Sequence, residues 1–293
     1  VVSRPTVNKD EINMRVRAVH ELARLADPEF FHELETGIGL CCAHASRLMA
    51  DVEVLAKMGR YPSAKILQNV ANEEAAKVMI LLDAARCPRH PQENLVWQLK
   101  RFALHLPKGL YASIADIRPC SFAEVREWAD RERQQYYLDG PDGGEWVFSN
   151  NILTAREQAM YVDYVVADDS KWWHDPSSHL APLFGAGSFR PDGICRMVSA
   201  LQAAGWFTAE ALATIAKIWR PVKVHDGMTI HELRDLNQET LRALNEKDLL
   251  RDAGQEAFSL IVRECPFPLF PLDLSMEEVK KAELLEQRST FIP

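Results

Sequence analysis

Residues 98–109 read QLKRFALHLPKG and bring Arg101, His105 and Lys108 within a short stretch of chain. An imidazole titrates near neutral pH and can move a proton to or from an attacking or departing hydroxyl. A guanidinium or ammonium can brace the charge that builds on phosphorus as the bond changes. Arg101 and His105 are four apart, so a continuous helix would set them on one face. Lys108 joins them only if that helix passes Pro107, whose ring removes a donor and crowds the preceding turn. Beside a carboxylate, such a set suits metal-independent cleavage of an RNA backbone. It also describes an ion-pair network that only neutralises a buried acid, and spacing alone leaves both readings open.

The carboxylate comes from ANEEAAK, residues 71–77, which interrupts an otherwise apolar run. On a helical wheel Ser63, Leu67, Val70, Ala71, Val78, Leu81 and Leu82 share one face, with Lys65, Asn69 and Asn72 opposite. Glu74 follows Leu67 by seven residues and is expected to project from that apolar face, where a lone carboxylate is costly and needs cationic partners. Glu73 and Lys77, four apart, read as a flank pair. A third polar helix is expected in TAREQAMYVDYVVADDSKWWHDP, residues 154–176, where Arg156 and Asp163 are seven apart.

These side chains need a scaffold, and nearly every segment reads as helix. Asp27-Pro28 supplies an N-cap and a first-turn proline for a helix to about Met58; Pro62 opens the next, and Pro91 a third. Capping boxes are expected at Ser121–Glu124, Thr154–Glu157, Thr229–Glu232 and Ser275–Glu278. No pair of alternating β-branched runs flanks a turn, so the fold class is all-α. Residues 175–193, rich in Pro, Gly and Ser, mark a boundary. Further helices are expected around 192–204, 208–219, 229–250 and 275–288, with Trp206, Phe207 and Trp219 in the core.

The long helix before GRYPSA, then ANEEAAK, His105-x-x-Lys108, REQAMYVDY and WWHDP, in that order, resemble the AbiV-type abortive-infection proteins of the HEPN superfamily. The resemblance covers roughly residues 33–180. It implies an antiparallel helical bundle, preceded here by an N-terminal helical extension (1–32) and followed by a helical region at 190–293. It further implies a homodimer, a cytoplasmic role in defence against phage with a phage-derived trigger or regulatory partner, and RNA as the partner molecule. Many relatives are metal-independent ribonucleases whose site lies in a cleft at the dimer interface.

The family's E-E-x-x-K element falls on Glu73, Glu74 and Lys77, its H-x-x-K on His105 and Lys108, and its R-E-x-x-x-Y-V-D on Arg156, Glu157, Tyr161, Val162 and Asp163. The expected site therefore has Arg101, His105 and Glu74 as catalytic groups and Lys77, Lys108 and Arg156 on phosphate. Glu73, Glu157, Tyr161 and Asp163 form the supporting polar network. One departure matters: the nuclease signature R-x(4–6)-H is not met by Arg101 and His105, with three residues between them. Literal R-x4-H matches at Arg15–His20 and Arg220–His225 lie outside the resembling region. A ribonuclease and a non-catalytic interaction or phage-sensing protein both fit.

Composition narrows the field further. With 47% hydrophobic and 26% charged residues the chain is an ordinary globular one, and its net charge of −8 argues against a general nucleic-acid coat. Charge is uneven: Arg86 to Arg118 holds six Lys/Arg against two acids, whereas His225 to the end holds eight against fourteen. No apolar stretch approaches membrane-spanning length, and the six scattered cysteines suit a reducing cytosol. Cys41–His44 has zinc-ligand spacing without a second pair, and Glu29-x-x-His32 is half of a di-iron pattern, so no metal is expected. Neither a phosphate-binding G-x-x-x-x-G-K-[ST] loop nor a G-x-S-x-G elbow occurs, and no cofactor is expected. His174 and His179 sit beside two tryptophans in an expected loop.

Overall fold

The first helix, α1 (Asp27–Lys57), buries Phe30, Phe31, Leu34, Ile38, Cys42, Ala45 and Val52 along one stripe, the 3.6-residue period that its sequence writes. The computed structural model describes residues 16–139, 145–167, 170–176 and 192–289, without the side chains of 138–139, 145–148, 163, 165–167, 170, 172 and 287–289. Asp27 does not cap α1: the helix begins on it after Ala26, and its carboxylate instead pairs with Arg89 and Arg220. Those two guanidiniums hold the Asp27 carboxyl below its usual value despite the opposing push of burial.

Helix α2 (Tyr61–Arg86) is central and packs against α1 and, later in the chain, against α3 (Gln92–Lys100) and α4 (His105–Ser113). Two C-terminal helices, α7 (Gly193–Ala203) and α8 (Ala209–Trp219), cover it as well. Between these stand α5 (Phe122–Glu132) and α6 (Asn151–Gln158); α9 (Ile230–Glu246), α10 (Gly254–Glu264) and α11 (Lys281–Ser289) follow. One hydrophobic core joins α1 and α2 to residues as distant as Leu272 and Leu274, and Trp206, Phe207 and Trp219 are buried in it as expected.

The predominantly helical fold is the one expected, with three local departures. The helix that Pro91 opens stops before His105: α3 ends at Lys100, a 3₁₀ turn occupies Arg101–Ala103, and Leu104 is extended (φ −101°, ψ 135°). Pro107 explains the restart, because in the first turn of α4 its missing donor costs nothing. The helix expected within 154–176 is the second departure. After α6 the chain forms a hairpin of β3 (Asp163–Ala167) and β4 (Ser170–His174), with the Tyr164 and Trp173 rings 5.1 Å apart. Valines and aromatics suit that pleated surface better than a helix.

Third, β1 (Gln134–Asp139) lies between β2 (Glu145–Phe148) and β5 (Glu277–Lys280), antiparallel to the first and parallel to the second. This sheet joins the C-terminal segment to the middle of the chain. Ser275–Glu278 therefore does not start a helix, since β5 begins at Glu277, and Thr154 lies inside α6, which Asn150 caps. Ser121 and Thr229 do cap their helices, the latter in a complete capping box. Helix α10 was not expected. All six cysteines are free, and only Cys120 is exposed. Among the described residues no helix is long and apolar enough to cross a membrane.

Candidate functional site

Glu73, rather than Glu74, is the hub. Its carboxylate accepts from Lys108 Nζ at 2.6 Å and from Arg156 Nε at 2.9 Å, and both its oxygens lie 3.1 Å from His105 Nδ1. Three elements supply these groups: α2 the acid, the first turn of α4 the imidazole and ammonium, α6 the guanidinium. Burial pushes the Glu73 carboxyl up, but Lys108 first and His105 second pull harder and hold it below 4.5.

Lys108 is nearly buried at 7% exposure, whereas His105 is 46% exposed and Arg156 31%. A carboxylate only accepts, so its two contacts with Nδ1 favour the tautomer with the proton on Nδ1, against a single longer approach of 3.4 Å by Lys108 Nζ. Nε2 is then left with its lone pair.

The wheel misplaced the two glutamates for a definable reason. The closest packing of the first half of α2 uses small residues, Ala64, Ala71 and Ala75 with Gln68, and the polar side is itself covered by a second layer, α4 and α6. Lys65, Asn69, Asn72 and Glu73 line a cleft of about 290 Å³ there, together with His105 and Arg156. A wheel ranks sides by polarity and cannot report that the polar side acquires a roof. Glu74 meets neither Arg101 nor His105; it pairs with Lys77 at 2.5 Å, and Lys77 lies over the Phe102 ring, outside the cleft.

Arg101 also departs from expectation. The break at Leu104 separates it from His105, and its guanidinium donates to Gln98 Oε1 and the Leu269 carbonyl at 2.8 Å and to the Leu272 carbonyl. There it joins a buried cluster in which Asp83 accepts from Tyr111 Oη at 2.7 Å and from the Leu269 backbone at 2.8 Å, beside fully buried Arg86. The basic segment 86–118 is thus not one surface: Arg86 and Arg101 sit in this cluster, Arg89 on Asp27, and Lys100 over Trp97.

Glu157 is exposed and its side chain makes no ion pair or hydrogen bond among the described residues; Tyr161 is exposed, and the Asp163 side chain lies outside them. His174 bonds the Gln158 carbonyl at 3.2 Å, while His179 and Arg15 are also outside the described residues. Arg220 binds Asp27 and the Ala85 carbonyl, so the Arg220–His225 spacing is a structural coincidence. Among the described residues no group of three His, Cys, Asp or Glu could hold a metal ion; Cys41 is buried, its thiol pushed up to about 11 by desolvation, and His44 is exposed.

Sequence reasoning missed Gly109. A Cβ there would stand 2.1 Å from Ile152 Cγ2, so its absence lets α6 seat on α4 and brings Arg156 to Glu73. Gly109→Ala is expected to cost about 1–3 kcal/mol through overpacking. Ile152→Ala in the same chain should restore most of that loss in a urea melt; no recovery would mean that another contact sets the α4–α6 distance. The signal in the sequence, a glycine straight after H-x-x-K, is too common to read without the neighbouring helix.

A second prediction follows from the lowered Glu73 carboxyl. A depressed acid adds stability above its ordinary value, 4.5, and that contribution is lost as pH falls through the folded-state value. Glu73→Gln should therefore be less stable than wild type by about 2–3 kcal/mol at neutral pH, with the gap closing below pH 4.5. A gap that does not change with pH would contradict an ionised hub.

Residues 33–181 match the family HEPN_AbiV, described as AbiV. No curated protein and no solved structure matches the chain.

Proposed function

Since the chain belongs to the AbiV family of HEPN proteins, a family of abortive-infection defence, we propose that the Glu73 cleft cleaves RNA without a metal ion. The observation that carries this reading is the half-exposed His105, held by Glu73 through Nδ1 with Nε2 left open at a cleft that also presents Arg156. His105 Nε2 takes the 2′-hydroxyl proton, the 2′-oxygen attacks phosphorus, and the bond to the 5′-oxygen breaks; the departing 5′-oxygen takes a proton from water and the imidazolium returns its own to solvent, leaving a 2′,3′-cyclic phosphate and a 5′-hydroxyl. Arg156 braces the phosphorane, Lys65 offers a further cation at the cleft, and Lys108 keeps Glu73 ionised. Arg101 has a folding role in this scheme, and Glu74–Lys77 lies to the side.

A second reading is favoured by one observation: Arg101, the arginine nearest the family's R-x(4–6)-H signature, is engaged by the Leu269 and Leu272 carbonyls. In that reading the protein binds a partner or senses a phage component, and the Glu73 cluster only joins α2, α4 and α6. Incubating the purified chain with total RNA and tRNA in EDTA separates the two. The nuclease reading expects discrete cleavage; intact RNA at stoichiometric protein, with phage lysate supplied as trigger, supports the second.

A further inference from the structure

Most arginines in the middle of this chain are engaged: Arg86, Arg89, Arg101, Arg133, Arg156 and Arg220 each meet a carboxylate or a carbonyl. Several others make no such contact among the described residues, and four of these are brought together. Arg118, Arg196, Arg234 and Arg263 come from the segment after α4, from α7, from the start of α9 and from the end of α10, and all line one cleft of about 250 Å³. Arg118, Arg196 and Arg263 are exposed and Arg234 is half-buried; none of the four guanidiniums makes a hydrogen bond or ion pair among the described residues, and the buried Nε of Arg234 has no acceptor among them. A buried donor without an acceptor costs free energy, and an acceptor brought by a ligand would relieve that cost at Arg234.

The local charge points to what that is. Two carboxylates, Asp116 and Glu264, line the cleft against four arginines, an excess of two positive charges in a chain of net −8. Asp116 offsets them only in part: Arg196 favours its ionised form, yet burial and then Asp192 outweigh this and raise its carboxyl above the usual value, and it already accepts from the Gly193 backbone. Part of the lining forms an apolar wall, from Ile114, Leu233 and Phe267, side chains that are themselves almost wholly buried. The volume corresponds to about eight waters at roughly 30 Å³ each, far more than inorganic phosphate occupies. Its lining shares no residue with that of the Glu73 cleft.

We infer that this cleft binds a mononucleotide, with the phosphate on the arginines and the base against the apolar wall. Planar, forked donors recognise phosphate oxygens in pairs, and desolvation by the apolar wall strengthens the contact. The site is independent of whether the Glu73 cleft cuts RNA, and its test needs no cleavage.

Calorimetric titration of the full chain with AMP, GMP, CMP and UMP is expected to show at least one binding below about 1 mM, with the matching nucleoside and inorganic phosphate weaker by about tenfold or more. Arg196→Ala and Arg234→Ala should each weaken binding about tenfold. Their melting temperatures without nucleotide should stay close to wild type, because neither guanidinium makes an ion pair or hydrogen bond among the described residues. No binding by any of the four nucleotides overturns the inference, as does affinity unchanged in both variants. Phosphate binding as tightly as the nucleotides overturns the mononucleotide assignment, and so does a short single-stranded RNA that binds more tightly through the same arginines.

Discussion

His105→Ala is expected to lower RNA cleavage by about 10²–10⁴-fold, the range for loss of a general acid–base group, while the melting temperature moves little. The two halves of that expectation come from the same geometry. His105 is 46% exposed and contributes one of three contacts to Glu73; Lys108 and Arg156 remain, at 2.6 and 2.9 Å, to keep the carboxylate satisfied. Removing a half-exposed partner of that kind costs on the order of 1 kcal/mol or less. A purely structural cluster would give the same small stability change with no chemistry to lose. Activity per folded molecule is the discriminating readout, and rates should be compared after confirming equal far-ultraviolet circular dichroism.

Asp83→Ala should have the largest effect on stability, about 3–5 kcal/mol. Its carboxylate is 2% exposed and accepts from Tyr111 Oη and from the Leu269 backbone, with the Arg86 guanidinium 3.5 Å away. Truncation leaves Arg86, buried beside Trp219, without its nearest counter-charge, and leaves a buried backbone donor unpaired. The segment through Leu269–Leu272 is the one that Arg101 also holds, so the loss should loosen the C-terminal chain from α2 and α3. Tyr111→Phe should cost about 1–2 kcal/mol, since it removes one hydrogen bond and little volume. Urea unfolding of the two variants checks the order. A cost for Asp83→Ala below that of Tyr111→Phe would mean the cluster is not the tie between the two ends of the chain.

What could be read in advance depended on whether the signal was local. Pro62 and Cys87-Pro88 bound α2 within a residue, Asp27-Pro28 marks the start of α1, and Thr229-x-x-Glu232 forms its reciprocal cap. Each rests on chemistry within one turn. His105, Lys108, Arg156 and Glu73 were all named, because residue type and family order suffice for membership. Their roles were not legible: whether Glu73 or Glu74 is the hub depends on α4 and α6 covering the polar side of α2. Pro107 pointed to a kink, yet the loss of Arg101 to the Leu269 and Leu272 carbonyls arises from chain some 170 residues away. The β3–β4 hairpin was hidden because its valines and aromatics also satisfy a helical period, and β5 because its pairing with β1 is long-range.

The most direct measurement is the chemistry of the cut ends. A defined single-stranded RNA incubated in EDTA with wild type, and separately with His105→Ala, should yield 2′,3′-cyclic phosphate and 5′-hydroxyl termini from the wild type and essentially intact RNA from the variant. Cleavage by His105→Ala at the wild-type rate, or 5′-phosphate ends from either protein, would contradict a His105-centred 2′-hydroxyl attack in the Glu73 cleft.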